Sequence, residues 1–425
     1  VLIHVVQKGD TLYKLAQNHD VSVDDIAAAN GLSNQNVLVI GQSLIIPTEA
    51  ASHRVRASET LWQIAQRYGV SLQELAAVNQ ITNPALIYPG QTIVIPQPAR
   101  PTIEVNAYTE KFGSAGVEIV EEIGEYLTYL SPFSYRVQAD GSFTTLDDSA
   151  IINAAYAKRA APMMVITNFE NGTFSQDIAH AVLSDPAIQQ KLISNILATM
   201  KQKGYLALNV DFEYVPPADR ELYNAFLQRL VDGLHPENYL VSTCLAPKLS
   251  ASQTGTLYEA HDYPAHGRIV DFVILMTYEW GWSGGPPRAV APLNEVNKVL
   301  SYALSVIPAE KIVMGMPLYG YDWTLPYVQG AKWAPTVSPK EAVDRAGKYG
   351  AEIQYDDESQ SPYYNYYDEE GREHIVWYED ARSVQAKFNL VKTYKLRGFS
   401  YWVLGVPFPQ NWYVLQANFT IKKLV

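Results

Sequence analysis

Residues 204–214 read GYLALNVDFEY. Leu206, Leu208, Val210 and Phe212 alternate with Ala207, Asn209, Asp211 and Glu213, the period of two expected of an extended strand. A parallel strand covered on both faces should be apolar throughout. Here Asn209, Asp211 and Glu213 take three successive same-face positions at the carboxyl end, where α/β barrels carry their chemistry. An edge strand with solvated acids would show the same alternation, so the surrounding chain has to decide between the two.

Outward from this stretch, apolar strand-like runs recur at 104–108, 126–137, 162–169, 239–248, 272–280, 311–323 and 398–405, which with 204–214 makes eight. Helical patterns separate most of them, for example Ala187 to Lys203 and Arg220 to Leu234. Eight strands in βα alternation predict an α/β fold, a (β/α)₈ TIM barrel over residues 104–425. The gap before the last strand is too long for a simple crossover. Residues 324–376, rich in Tyr and acids, are expected to form a small α+β insertion beside the cleft.

Tyr108, Asn168, Tyr278, Glu279, Tyr321, Asp322, Trp323 and Trp402 fall at or just past the carboxyl ends of these runs. Singly, each aromatic is more often a half-buried core or rim residue than a ligand contact. Grouped around paired acids, they suit a carbohydrate, whose C–H faces pack on rings while its hydroxyls meet carboxylates and amides. The eight histidines form no metal-ligand spacing, and no phosphate loop or dinucleotide fingerprint is present. No cofactor and no metal are expected. The one cysteine, Cys244, lies in an apolar run and reads as a small core residue rather than a nucleophile.

The chain has 425 residues, 48% hydrophobic and 18% charged, with a net charge of -12, so it is well cored and acidic. Residues 1–100 hold six Lys/Arg against seven Asp/Glu, which leaves -11 of that charge to the rest of the chain. Without basic runs, nucleic acid and anionic lipid are poor partners. Neither a signal-peptide pattern nor a membrane-length apolar run is visible.

The first hundred residues repeat: His4 to Pro47 aligns without gaps to His53 through Pro96 at an offset of 49. Each copy is expected to be a βααβ module, over 1–48 and 50–97, followed by a Pro-rich linker at 98–103. The openings GDTLYKLA and SETLWQIA, the internal Asn30 and Asn79, and the endings GQSLIIP and GQTIVIP resemble LysM domains. That resemblance implies binding to N-acetylglucosamine-containing glycans such as peptidoglycan or chitin.

NVDFEY, MTYEW and GFSYWVLG, on the fourth, sixth and eighth expected strands, resemble glycoside hydrolase family 18. With the two LysM-like repeats, MTYEWGWSGGPP and VWYEDARS, the chain is most similar to that family's spore cortex-lytic branch. The resemblance implies a peptidoglycan hydrolase. It would cut β-1,4 bonds after N-acetylglucosamine in cortex fragments during germination, in the spore and as a monomer. It implies Glu213 as general acid/base, Asp211 as its partner carboxylate and Tyr278 as the contact to the substrate acetamido group. Trp402 would be the floor under the reacting sugar, with Asn209, Glu279, Tyr321, Tyr108 and Asn168 as further substrate-binding residues. Family 18 enzymes use the substrate's own N-acetyl oxygen in place of an enzymic nucleophile. Asn209 and Glu279 depart from the pattern, since Asp is common at both places, and Asn cannot take up a proton. A chitinase acting outside spores and a non-catalytic glycan-binding coat protein are the alternatives.

Overall fold

Eight parallel strands close a barrel: β1 (Thr102–Thr109), β2 (Tyr129–Pro132), β3 (Ala161–Thr167), β4 (Ala207–Asp211), β5 (Leu240–Leu245), β6 (Phe272–Leu275), β7 (Ile312–Pro317) and β8 (Gly398–Trp402). Each pairs with the next, and β8 returns to β1 through Ser400↔Asn106. The computed structural model describes residues 1–48, 52–96 and 100–425. Ala50 and Gln97, expected at the ends of the second repeat, and Pro98 and Ala99 of the expected linker lie outside the described residues.

The opening stretch becomes β4 because the segment before it is a helix with clear stop signals. The helix Pro186–Lys203 starts on Asp185, whose carboxylate accepts from Ala187 N at 2.7 Å, with Pro186 in its first turn. It ends at Gly204, whose φ of 80° turns the chain into the sheet. Leu208 and Val210 then face the helical layer and share a core with Leu192, Ile196 and Leu227. Ala207 faces the barrel axis, with Met163, Val165 and Cys244. All five residues of β4 are buried, so the solvated-edge alternative fails: Asn209 and Asp211 point into the barrel, 0% and 5% exposed.

Two of the expected runs each hold two strands. Residues 126–137 supply β2 and the short strand Tyr135–Arg136, which also pairs with β3. Residues 311–323 supply β7 and then Gly320–Thr324, which leaves the barrel for the insertion. There it joins an antiparallel sheet of five strands that ends with Glu373–Trp377 and packs against the helix Pro339–Tyr349. The inserted sheet therefore begins at Gly320, earlier than the aromatic-rich segment suggested.

Each repeat is a βααβ unit with a two-stranded sheet. Asn30 explains itself: its Nδ2 donates to Ile26 O and Ile45 O, and its Oδ1 accepts from Ile45 N, which clamps the second helix to the closing strand. Asn79 does the same in the second copy. The copies differ in surroundings. The first is docked on the barrel: Gln410 Nε2 donates to Asn30 Oδ1 and Ser43 O, both at 2.8 Å, and Ile353 N donates to Ile40 O at 2.9 Å. Val39 packs into the insertion's core, and Ala29 and Ile45 into the main one. Their counterparts in the second repeat, Tyr88, Val78 and Val94, are 66%, 50% and 49% exposed.

Gly41 lies at this seam with a φ of 82°, and a Cβ there would stand 1.9 Å from Ile353 O. Its counterpart Gly90 has a φ of 84° but nothing nearer than Arg54 at 3.9 Å. Gly90→Ala should therefore cost about 1 kcal/mol of backbone strain. Gly41→Ala should cost clearly more and open the seam, which thermal denaturation and limited proteolysis of the two variants would compare.

Candidate active site

The carboxyl ends of the barrel strands surround a cavity of about 530 Å³. Asp211 closes β4, and Glu213 follows two residues later on the same face, where the chain turns at Tyr214 with a φ of 53°. Both acids line the cavity, together with Tyr108, Tyr278, Glu279, Tyr321 and Trp402. Seven of the nine residues expected from the sequence are thus brought together. Asp211 Oδ1 is buried without a hydrogen-bond partner among the described residues. An acceptor in that state is costly unless a ligand or a proton satisfies it.

Burial pushes both carboxyls above the usual carboxylate range, and the charge of Asp211 pushes Glu213 further up. Two neighbouring like charges, Asp211 buried and Glu213 half-buried, cannot both ionise readily, so the pair keeps a proton where isolated acids would have lost it. The thiol and phenols beside them are neutral. Burial holds the Cys244 thiol and the Tyr108 and Tyr278 phenols in their protonated forms, with the acids adding to the effect. Cys244 is a core residue, as its apolar run suggested, but it also floors the cavity and donates to Asn209 Oδ1 at 3.3 Å.

Asn168 and Asn209 stand behind the cavity. Asn209 Oδ1 accepts from the Tyr108 hydroxyl at 2.8 Å, and its Nδ2 donates to Ser242 Oγ at 3.0 Å. Asn168 is fully buried at the end of β3; its Oδ1 accepts from Glu213 N at 3.0 Å and its Nδ2 donates to Glu213 O at 2.8 Å and Ser175 O at 3.0 Å. That two-way clamp fixes the backbone of Glu213 and leaves no polar atom of Asn168 for a ligand.

Tyr278 and Glu279 follow β6. Glu279 has a φ of 66°, and its carboxylate accepts from the Tyr319 and Tyr321 hydroxyls, the latter at 2.9 Å. Burial raises its pKa against those two bonds. Gly315 on β7 makes room for Tyr278, since a Cβ there would lie 2.8 Å from the Tyr278 ring and 2.5 Å from Leu275 O. Trp402, at the end of β8, meets Phe133 at 4.8 Å and Tyr108 at 5.6 Å between ring centroids, which forms an aromatic floor.

Sequence reasoning missed Phe133, Arg136, Phe174 and Tyr258 of the lining, all in loops or short strands without a periodic signal. It also missed His261, read only for metal spacing. Ala246 N donates to His261 Nδ1 at 2.8 Å, so Nε2 carries the proton and donates to Phe212 O at 2.9 Å. Burial lowers this imidazole's pKa to about 4, so it stays neutral while it ties the end of β4 to the loop after β5.

If Asn168 is a clamp, Asn168→Ala leaves buried backbone groups of Glu213 unpaired. It should lose roughly 1–3 kcal/mol of stability in denaturant unfolding. Turnover should fall as Glu213 drifts while KM changes little, the reverse of what loss of a substrate contact would give.

Residues 128–406 match Glycosyl hydrolases family 18, and residues 4–47 and 53–96 each match the LysM domain. The cortical fragment-lytic enzyme of Bacillus subtilis (strain 168) is 51% identical over 425 residues, 99% of each chain. The crystal structure of the spore cortex-lytic enzyme SleL of Bacillus megaterium QM B1551 superposes with a TM-score of 0.89 at 43% identity, covering 100% of this chain and 99% of that one. A chitinase from Chromobacterium violaceum ATCC 12472 superposes with a TM-score of 0.69 at 26% identity, over 74% of this chain and 98% of its own. The barrel, its inward acids and these matches make the chain a member of glycoside hydrolase family 18 that carries two LysM domains ahead of its catalytic barrel.

Proposed function

We propose that this enzyme hydrolyses peptidoglycan of the spore cortex, cutting after N-acetylglucosamine with Glu213 as the acid/base. The observation that carries the reading is the unpartnered Asp211 Oδ1 beside Glu213, over an aromatic floor, with burial and the Asp211 charge raising the pKa of Glu213. A sugar with an N-acetyl group supplies what this arrangement lacks, an amide N–H for Asp211. Held that way, the acetamide carbonyl oxygen attacks the anomeric carbon as Glu213 passes its proton to the leaving glycosidic oxygen. The positive oxazolinium ring that forms lies against the Asp211 carboxylate, and the Tyr278 hydroxyl donates to the former acetamide oxygen. Glu213, now a carboxylate, takes a proton from water as that water attacks the anomeric carbon, and the ring reopens.

The substrate and the spore location rest on the LysM pair and on the cortex-lytic relatives, which align over the whole chain. Action as a monomer is part of the same proposal. The chitinase reading has the weaker support, because the chitinase covers only 74% of this chain, and at lower identity.

Glu213→Gln should lower turnover of cortex fragments by about 10²–10⁴ or more, with binding to the same fragments retained. Since only protonated Glu213 is an acid, wild-type turnover should decline as pH rises through its elevated pKa. Mass spectrometry of the products should show reducing-end N-acetylglucosamine. Unchanged turnover in the variant would overturn the role of Glu213, and efficient cleavage of chitin oligomers with none of cortex would favour the chitinase reading.

A further inference from the structure

The cavity has one cationic side chain in its lining, Arg136, among the acids Glu110, Asp211, Glu213 and Glu279. Its place is set by register. Arg136 pairs with Thr167 on β3, and Thr167 pairs with Asp211 on β4, so the three share one level and one face of the sheet. At the usual strand spacing this puts the Arg136 Cα about 10 Å from that of Asp211, roughly two strand widths along the cleft. The backbone there is pinned: Arg136 N donates to Thr144 Oγ1 at 3.1 Å, and Thr144 N donates to Arg136 O at 3.0 Å.

The fold holds the guanidinium only against an aromatic ring. It lies 5.4 Å from the centre of the Phe169 ring, which is braced edge-on by Phe174 at 5.2 Å. It makes no ion pair or hydrogen bond among the described residues, whereas Arg345, Arg382 and Arg397 each hold a carboxylate. A guanidinium held against an aromatic ring keeps its in-plane N–H donors free, in a fork that matches a carboxylate. A neutral glycan offers such a group hydroxyl and amide acceptors but no opposite charge, whereas a carboxylate supplies both.

We propose that Arg136 forms a carboxylate-binding subsite, taking an anionic substituent on the sugar next to the one held by Asp211 and Glu213. This rests on the peptidoglycan reading above, in which the muramoyl unit supplies the carboxylate, either on its 3-O-lactyl group or on the peptide attached there. Arg136 is then a specificity determinant, which favours peptidoglycan over neutral chitin without taking part in bond cleavage.

The test compares wild type, Arg136→Gln and Arg136→Lys on three preparations of cortex fragments: intact, stripped of peptide by an amidase, and with all carboxylates converted to methylamides. Arg136→Gln should raise KM on intact fragments roughly fivefold to tenfold at unchanged kcat, and should not alter KM on the methylamides. Arg136→Lys should recover part of the loss, and the wild-type advantage should shrink at high salt. Because the amidase frees the lactyl carboxyl that the peptide had occupied as an amide, a KM effect that appears or grows on peptide-stripped fragments assigns the lactyl carboxylate, and one confined to intact fragments assigns the peptide. An equal loss on methylamidated fragments, or no loss on any, overturns the subsite. Wild-type inactivity on all three preparations is a different failure, visible before any variant is made; it overturns the peptidoglycan reading and the subsite with it.

Discussion

Two carboxyl groups, two residues apart on one strand face, are held where water is scarce. Much of the local structure follows from that constraint. Asp211 and Glu213 cannot both be charged at low energetic cost, which raises both their pKa values, and the thiol, phenols and imidazole packed around them are uncharged. Cys244 stays a thiol, Tyr108 and Tyr278 stay phenols, and His261 stays a neutral imidazole. Asn209 belongs to the same logic. An Asp in its place would be a third buried acid on that face; the amide instead accepts from Tyr108 and donates to Ser242 without adding charge.

The clamp around Glu213 shows how the barrel turns a strand end into a positioned acid. β4 stops at Asp211, and beyond it the backbone has lost its ladder. Asn168 replaces that ladder with two side-chain bonds to Glu213, while His261 holds the carbonyl of Phe212. The Glu213 carboxyl is therefore carried on a segment fixed from the end of β3 and from the loop after β5.

The barrel was legible in the sequence because its strongest signals are local. The period-two alternation of 204–214, the eight apolar runs and the aromatic residues at their carboxyl ends survive in the fold nearly unchanged. Asn168 and Asn209 were legible as strand-end polar residues but not in their orientation. Whether such a side chain turns to the cavity or to a neighbouring backbone depends on the adjacent strand, which sequence spacing does not encode. His261 and Arg136 lacked a periodic signal altogether. The insertion's start was misplaced because Gly320–Thr324 reads as a continuation of β7, and only its antiparallel pairing with Glu373–Trp377 separates the two.

The repeats are nearly interchangeable on paper, yet one of them is partly interior to the enzyme. Val39 sits among Val376, Tyr364 and Ile353, and Gln410 reaches from the last barrel helix into the Asn30 clamp. The repeat unit and the folding unit therefore do not coincide. Deleting residues 1–48 removes part of the hydrophobic interior that the catalytic half packs against, along with a carbohydrate module. A truncated enzyme with lower activity would then report exposed apolar surface as much as lost grip on the glycan. The second repeat, whose matching positions already face water and which touches the first mainly through Arg56 and Arg67, is the one whose removal disturbs stability least.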